Sequence, residues 1–421
     1  MNKSLIALSV IGACVAPIPA IAEVTLSGAV NFGPVYGDSD DGAVGPTNDI
    51  KGVIAPAAQA RGQTGSFLHG SYSHFDIESV DDIGGGNKVV VHIQLGIGGT
   101  ENLPGESDAV RNRNSHVGLI GNWGALRFGT NENVYERFMY EADPLDGAAG
   151  VGGNLLILGT PGGAVFESGF AANGPTEFLQ CSVSGIPGSG CVEFYRRTEH
   201  TIWYISPSFG GFSFEVDYTL PAFKATNPAG ATINPQIFSI GGKYKPEAFP
   251  ITVDLAYERH NDLFGLQAIA GNVNGATATD SSDTGIQVGA SYTLGNLSFQ
   301  ARFERLEYEL DGMGAADVNQ YERDAYWLAL KWNLASGYVG AEYGFADEAD
   351  CERVGTSCSA RESGAQLLAA GYWHTLSKQT QVAGVVSVLQ NDDFANYVNI
   401  GGGGGIGQDS WAAALYFRHF F

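Results

Sequence analysis

The side chains whose types could support nucleophilic catalysis are two histidines close to three serines: His69 and His74, with Ser66, Ser71 and Ser73. In such catalysis a histidine takes the proton of the serine hydroxyl, and a third group orients the histidine. The sequence lacks the spacings G-x-S-x-G and H-E-x-x-H and the Walker sequence. The glycine run at 401–407 resembles a dinucleotide-binding loop, but no strand-to-helix pattern surrounds it. We therefore expect these residues to be ordinary polar residues of a strand, and the chain not to be an enzyme.

The charge of the chain is strongly negative. It has 22 Lys and Arg against 45 Asp and Glu, which gives a net charge of −23. This balance argues against a nucleic-acid partner, for which a basic face is expected. It favours cationic partners or a cation-attracting cavity, with a merely soluble acidic surface as the alternative. The acidic runs DSDD (38–41) and DEAD (347–350) could bind Ca²⁺, or could be solvated loops. We expect no other cofactor and no metal centre.

The N-terminus and the cysteines indicate an exported chain. Residues 1–22 predict a cleaved secretory signal, with Lys3 before an apolar stretch and the cleavage pattern A-x-A at 20–22. Cys14 leaves a lipoprotein signal as the alternative. In an exported protein, close cysteine pairs indicate local disulfides, and these pairs lack the His or Cys spacing of a metal site. The expected pairs are Cys181 with Cys191 and Cys351 with Cys358.

Segments of alternating apolar and polar residues follow one another through residues 23–421. At 211–219, Phe and Val residues alternate with Ser213, Glu215 and Asp217, which is the period of a β-strand with one apolar face. About sixteen such segments begin near residues 23, 66, 87, 111, 124, 198, 211, 235, 250, 284, 296, 321, 337, 363, 378 and 409. No apolar run of about 20 residues, as a membrane helix needs, follows the N-terminus.

The connections between these segments alternate between short and long. The short ones are 81–86, 121–123, 206–210, 245–249, 294–296, 334–336 and 376–378. The long ones are 34–65, 100–110, 131–197, 220–234, 260–283, 311–320, 347–362 and 392–408. In a closed antiparallel barrel every second connection lies on the same rim, and membrane barrels have short turns on one side. We therefore expect an all-β, antiparallel, up-and-down transmembrane barrel of about sixteen strands, wide enough for an aqueous channel.

The alternation also predicts which charged side chains point into this channel. Arg127 lies between two apolar residues, so it should face inward, and Arg197 has the parity of the polar Thr201. The same test turns four more charged residues inward: Glu215, Asp217, Arg302 and Arg418. Since half of each strand is polar, we expect a polar lumen. Aromatic pairs near strand ends, such as Trp203 and Tyr204 or Tyr372 and Trp373, predict girdles at the membrane interfaces.

Several stretches together carry a family resemblance. They are EVTLSG (23–28), DDIGGGNKVVVHIQL (81–95), NSHVGLIGNWGALRFGT (114–130), HTIWYISPSFGGFSFEVDYT (200–219) and WAAALYFRHFF (411–421). The chain resembles the general porins of Gram-negative outer membranes, the trimeric, sixteen-stranded kind. The resemblance implies export through the periplasm to the outer membrane, a homotrimer, and contact with membrane lipid and lipopolysaccharide. It also implies recognition of Phe421 by the barrel-assembly machinery.

The resemblance further implies a pore constriction. In the family the third external loop, here 131–197, folds into the lumen, and acids on it face arginines on the opposite wall. The matching acids are Glu132, Glu136, Glu141, Asp143 and Asp146, and the matching arginines are Arg127 and Arg197. The sequence departs from the family at Phe67 and Asn114, where family members often carry arginine.

The expected function is passive diffusion of small hydrophilic solutes and ions, with a cation preference that follows from the net charge. Three alternatives stay open. They are a channel selective for one nutrient class, an outer-membrane enzyme that uses His69 or His74, and a structural or adhesive surface protein.

Overall fold

The computed structural model describes residues 23–44, 47–50, 52–53, 59, 61–70, 73–97, 110–141, 143–145, 148, 151–162, 182–183, 186–187, 192–221, 225–226, 230, 232–269, 278–399 and 405–421. The expected signal peptide at 1–22, the acid Asp146 and the pair Cys181 and Cys191 lie outside these residues.

Sixteen antiparallel strands form one closed barrel. They are β1 Glu23–Ser39, β2 Thr64–His69 continued by His74–Gly84, β3 Asn87–Ile97, β4 Val110–Gly121, β5 Gly124–Glu132, β6 Arg197–Ile205, β7 Phe212–Thr219, β8 Gln236–Tyr244, β9 Ile251–Asn261, β10 Asp280–Leu294, β11 Leu297–Asp311, β12 Val318–Leu334, β13 Gly337–Ala346 continued by Asp350–Arg353, β14 Ala365–Thr375, β15 Thr380–Asn391 and β16 Ser410–Phe420. The predicted architecture is confirmed, and every predicted strand start lies within four residues of the observed one.

The barrel closes where the last strand pairs with the first. β16 pairs with β1 from Ala29–Phe420 to Ser39–Ser410, and every other strand pairs with its neighbours in the sequence. The C-terminal residue extends this seam, because Gly28 N–H donates to the Phe421 carbonyl at 3.0 Å and Phe421 N–H donates to the Gly28 carbonyl at 3.1 Å. A closed sheet leaves no unpaired edge in the membrane.

Alternation along each strand separates the two faces of the wall. In β11, Phe299 is 47% exposed on the outside, whereas Arg302 and Glu304 are buried on the inside. Short turns join the strands at one rim, and Gly295 takes a φ of 59° in the turn between β10 and β11, which glycine adopts without strain. None of the helices in the described ranges is long and apolar enough to span a membrane.

Several strands extend past the predicted boundaries. β1 continues to Ser39, so the first long connection begins later than residue 34. The predicted third loop, 131–197, includes Glu132 and Arg197, but these residues pair with each other as the last residue of β5 and the first of β6. Both side chains therefore belong to the barrel wall.

The third loop begins with helix α1, Val134–Tyr140, followed by a 3₁₀ turn at Asn154–Leu156. Helix α1 contacts β7, β8, β9 and β10. Further along, Leu145 and the run Leu155–Leu158 pack in one buried cluster with inward-facing residues of β12 to β16, among them Trp327, Leu367 and Trp373. The expectation of a wholly polar lumen is wrong for this part of the wall, because a loop that lies against it supplies the apolar partner.

The aromatic residues divide between the two faces. Tyr204, Tyr326 and Tyr372 belong to the outer side of the wall, as expected for an interface girdle. Trp203 is 6% exposed and Trp373 is 1% exposed, and both point inward. Alternation places neighbours on opposite faces, so each aromatic pair supplies only one residue to the girdle.

A second apolar cluster lies near the long-loop rim. It joins Ile50 of the first long loop and Phe264, which precedes helix α2 (Gly265–Ile269), with residues of β11 and β12. The disulfide between Cys351 and Cys358 packs against it, and this disulfide was predicted. Asp49 accepts from Ser359 N–H at 2.8 Å and pairs with Arg353 at 3.0 Å, so the first loop is tied to the disulfide hairpin.

Candidate pore constriction

Helix α1 is attached to the inner wall through the backbone N–H groups of its first turn. The Asn133 side chain caps the helix by accepting from Glu136 N–H at 2.7 Å, and it donates to Glu258 at 2.9 Å. Val134 N–H donates to Asp217 at 2.7 Å. These contacts satisfy donors that a helix leaves unpaired at its N-terminus, so β7 and β9 fix where the helix starts.

The remainder of the helix is held by polar residues of β10 and β11. The Tyr135 hydroxyl donates to Glu304 at 2.8 Å, and Gln287 donates to the Tyr135 carbonyl at 2.6 Å. Arg302 donates to the Phe138 carbonyl at 2.6 Å and to Asp254 at 2.8 Å. The basic side chain near the last turn also complements the negative end of the helix dipole.

Further carboxylates of the wall hold the second half of the loop. Glu342 accepts from Gly153 N–H at 2.6 Å and from the Trp327 indole at 3.1 Å. Glu304 accepts from Gly159 N–H at 2.9 Å and 2.8 Å, and from Arg323 at 3.0 Å. Charge-assisted bonds of this kind, made away from water, hold a loop firmly against its support.

The loop leaves an opening of about 520 Å³ beside it. Four acids and four basic residues surround the opening, together with three aromatic residues. They are Glu132, Glu141, Asp143, Glu215, Arg137, Lys243, Lys331, Arg418, Phe138, Tyr140 and Tyr338. The lining therefore balances in formal charge, unlike the chain as a whole.

The acids of this opening are engaged by basic residues or by the backbone. Glu132 bonds to Arg197, and Glu141 bonds to Lys243. Glu215 accepts from Arg137 at 2.5 Å. Asp143 accepts from the backbone N–H groups of Leu145 and Asn154 at 2.6 Å and 2.7 Å. Each carboxylate is thus partly neutralised in place.

Two inward-facing arginines form no direct ion pair with a carboxylate within the described residues. Arg127 lies with its guanidinium carbon 4.7 Å from the centre of the Trp203 ring. Arg418 lies 5.7 Å from the centre of the Phe420 ring and lines the opening. Both have the inward orientation that the alternation predicted. A cation over an aromatic ring keeps its charge, so both residues contribute positive charge to the lumen, and Glu215 and Glu78 offset that of Arg127 only at longer range.

Three of the predicted residues lie under the loop and not at the opening. Glu136 is 3% exposed, Asp217 is 0% exposed and Arg302 is 4% exposed. Burial and the nearby Glu132 charge together raise the pKa of Glu136 to about 7, against the opposing effect of nearby arginines. The inward orientation from strand parity is right for Asp217 and Arg302, but the loop that covers them takes them out of the water-filled space.

Sequence analysis missed several residues at the opening. Lys243 and Lys331 follow the inward parity of β8 and β12, so the alternation contained their signal. Arg137 lies in helix α1, which the sequence also indicates through the capping Asn133 and the helical spacing of Val134 and Phe138. Trp203 shares the inward parity of Thr201, so the alternation contained its signal as well, although the residue was also assigned to the girdle with its neighbour.

The histidines considered for catalysis have other partners. The His69 ring bonds to the Tyr416 hydroxyl at 2.9 Å, and His74 lies 3.2 Å from Asp76. Ser73 bonds to the backbone of Asn31, and Ser71 lies outside the described residues. Across the described ranges, no group of three or more His, Cys, Asp and Glu is arranged to hold a metal ion.

A closed sixteen-stranded barrel with a charged opening at the side of an internal loop defines a channel protein of the bacterial outer membrane. The comparisons with known proteins agree. The profile of the Gram-negative porin family matches residues 7–393, and the chain belongs to this family. Members of the family are channels and not enzymes, and they reside in the outer membrane.

Individual relatives are distant but similar over nearly the whole chain. Outer membrane porin protein 32 of Delftia acidovorans is 25% identical over 395 residues, which cover 93% of this chain and 91% of the relative. The anion-selective porin from Comamonas acidovorans has a TM-score of 0.67 at 20% identity, over 95% of this chain and 100% of that one. The trimer form of OmpT from Vibrio cholerae has a TM-score of 0.56 at 10% identity, over 95% and 99%.

Proposed function

We propose that this porin is a water-filled channel for passive diffusion of small hydrophilic solutes, and that the third loop sets its narrowest section. The observation that carries this proposal is the opening of about 520 Å³ between helix α1 and the charged residues of the wall. Diffusion through such a space needs neither an energy source nor a conformational cycle. Solutes that fit keep most of their hydration, because charged and polar groups surround the opening.

The ion preference of the channel depends on the charge at this narrow section. The cation preference expected from the net charge of −23 has no support in the opening, whose lining balances in formal charge. Its acids are engaged at short range, whereas Arg127 beside it and Arg418 in its lining form no direct ion pair among the described residues. A charge that lies farther from this section than the screening length of about 8 Å at physiological salt contributes little to its selectivity. We infer a modest preference for anions, which is also the property named for the similar porin of Comamonas acidovorans.

Reversal potentials in planar bilayers under a salt gradient test this inference. The wild-type channel should favour anions, and Arg127→Gln and Arg418→Gln should each lower the anion-to-cation permeability ratio. Arg305→Gln is the matched control, because Arg305 is bonded to Asp324 on the outer face of the barrel and should leave the ratio unchanged. A clear cation preference of the wild-type channel would defeat the inference and restore the expectation from net charge.

We propose that the protein assembles as a homotrimer in contact with membrane lipid and lipopolysaccharide. The support is the family and the trimer form of the similar OmpT structure. Crosslinking of the purified porin, followed by electrophoresis without heating, should give a species of three chains. A single-chain species under conditions that preserve conductance would contradict the trimer.

A further inference from the structure

Trp203 lies in β6 and points into the lumen, where it is 6% exposed. It pairs across the wall with Arg127 of β5 on one side and Asp217 of β7 on the other. Trp203 therefore lies between Arg127 and Asp217, and Asp217 is the residue that binds the N-terminus of helix α1. Its indole ring can therefore contact both the barrel wall and helix α1.

Two guanidinium groups lie over the indole ring of Trp203. The guanidinium carbon of Arg137, from helix α1, is 3.9 Å from the ring centre, and that of Arg127, from the wall, is 4.7 Å away. The indole Nε1–H donates to Glu215 at 3.2 Å, and Glu215 also accepts from Arg137 at 2.5 Å. The His116 ring meets the indole edge-on, with ring centres 6.1 Å apart.

This arrangement keeps two like charges together in a small space. Two guanidinium groups repel each other, and the repulsion is stronger where water is scarce. The negative face of an indole ring attracts cations, most strongly of the aromatic side chains, so the ring opposes that repulsion. Glu215 fixes Arg137 and the indole relative to each other. Arg127 forms no direct ion pair among the described residues, and Glu215 and Glu78 attract it only at longer range, so the indole ring is the contact that places its guanidinium group.

We propose that Trp203 is a positioning residue for ion selectivity, which holds Arg127 and Arg137 as a fixed pair of positive charges at the constriction. The proposal rests on the proposed channel function and on its anion preference. It assigns a role to a side chain that itself carries no charge. Without the ring, the Arg127 side chain is no longer held beside Arg137 and takes several positions along the wall. The positive charge at the constriction is then less concentrated.

The test compares Trp203→Phe, which keeps an aromatic face, with Trp203→Leu and Trp203→Met, which keep apolar volume without one. Reversal potentials under a salt gradient should show that Trp203→Phe retains most of the anion preference. Trp203→Leu and Trp203→Met should lower the permeability ratio about twofold or more, in line with the loss of a partly desolvated cation–aromatic contact. Two non-aromatic variants are used because the test needs only one of them to fold into a conducting channel.

Two further variants of the protein test whether the effect of Trp203 on the permeability ratio acts through Arg127. In the double variant Trp203→Leu with Arg127→Gln, the permeability ratio should equal that of Arg127→Gln alone, because the two residues act as one unit. Trp411→Leu is the control, since Trp411 lies on the outer face of β16, is 41% exposed and packs on Tyr36, away from the opening. Its ratio should stay at the wild-type value.

The proposal fails if Trp203→Leu and Trp203→Met keep the wild-type ratio, if the two single effects add in the double variant, or if Trp411→Leu lowers the ratio equally. Failure of the proposed function has a different signature. In that case the wild-type channel shows no anion preference, or Arg127→Gln leaves the ratio unchanged.

Discussion

Gly241 is a position where the wall of the barrel lies tightly against the third loop. It lies inward on β8, and a Cβ atom there would meet the Phe138 ring at 2.7 Å and 2.8 Å, and Val134 at 2.8 Å. Carbon atoms prefer separations of about 3.5–4.0 Å. The substitution Gly241→Ala must therefore move helix α1 away from the wall by roughly 1 Å, which is toward the lumen. Overpacking of this kind costs typically 1–3 kcal/mol.

The neighbouring glycine supplies a matched control. A Cβ atom at Gly242 would lie 3.5 Å from the Phe212 ring, which is an ordinary contact, and it points to the lipid side. Gly241→Ala should lower single-channel conductance and the free energy of unfolding in urea, and Gly241→Val should lower both further. Gly242→Ala should leave conductance unchanged and keep or slightly raise stability, since alanine restricts the unfolded chain more than glycine. Equal conductance and equal stability of the two alanine variants would refute the placement of helix α1 against this wall.

Three further predictions concern other parts of the chain. The pKa of Glu136 is raised from 4.5 to about 7, so protonation of this carboxyl stabilises the folded barrel. The stabilisation is complete below pH 4.5 and is lost as the pH rises through 7. It amounts to roughly 3 kcal/mol. Urea unfolding at pH 5 and pH 8 should show this fall in the wild type and not in Glu136→Gln, and an identical pH dependence in both would contradict the burial of Glu136. Replacing Cys351 and Cys358 by serine should cost ~2 kcal/mol and speed proteolysis of the first loop, which Asp49 ties to that hairpin; unchanged cleavage would rule out the tie. Deletion of Phe421 removes two backbone bonds of the seam and should lower the folded yield seen by electrophoresis without heating, whereas Phe421→Tyr should fold normally; normal folding of the truncated chain would count against a role of the C-terminal residue.

The barrel could be predicted because its signal is local. The alternation in β11 follows from contact with lipid on one face and with water or the third loop on the other, and each strand repeats it independently. Turn residues and loop lengths then set the order of the strands. Alternation, turn residues and loop lengths can all be taken from the sequence without knowing which distant residues are in contact. The predicted strand starts therefore lie within four residues of those observed.

The site was less predictable because it depends on contacts between distant segments. Glu136 and Glu141 are both acids of the same loop, but only the attachment of helix α1 decides that the first is buried and the second lines the opening. The sequence does indicate that the inner wall is covered at β14 and β15, because the segments 365–371 and 382–389 are largely apolar on both faces. An inward apolar face requires a cover inside the barrel, yet the sequence does not state which loop provides it.

The apolar inner wall bears on how such a channel could close. Withdrawal of the third loop would expose Trp327, Trp373, Leu145 and the run Leu155–Leu158 to the aqueous lumen. Each large side chain would cost about 1.5–3 kcal/mol, so the sum is comparable to the stability of a whole domain. A loop held in this way stays against the wall, and solutes pass through the opening beside it. Changes in permeability are then expected from the side chains that face this opening.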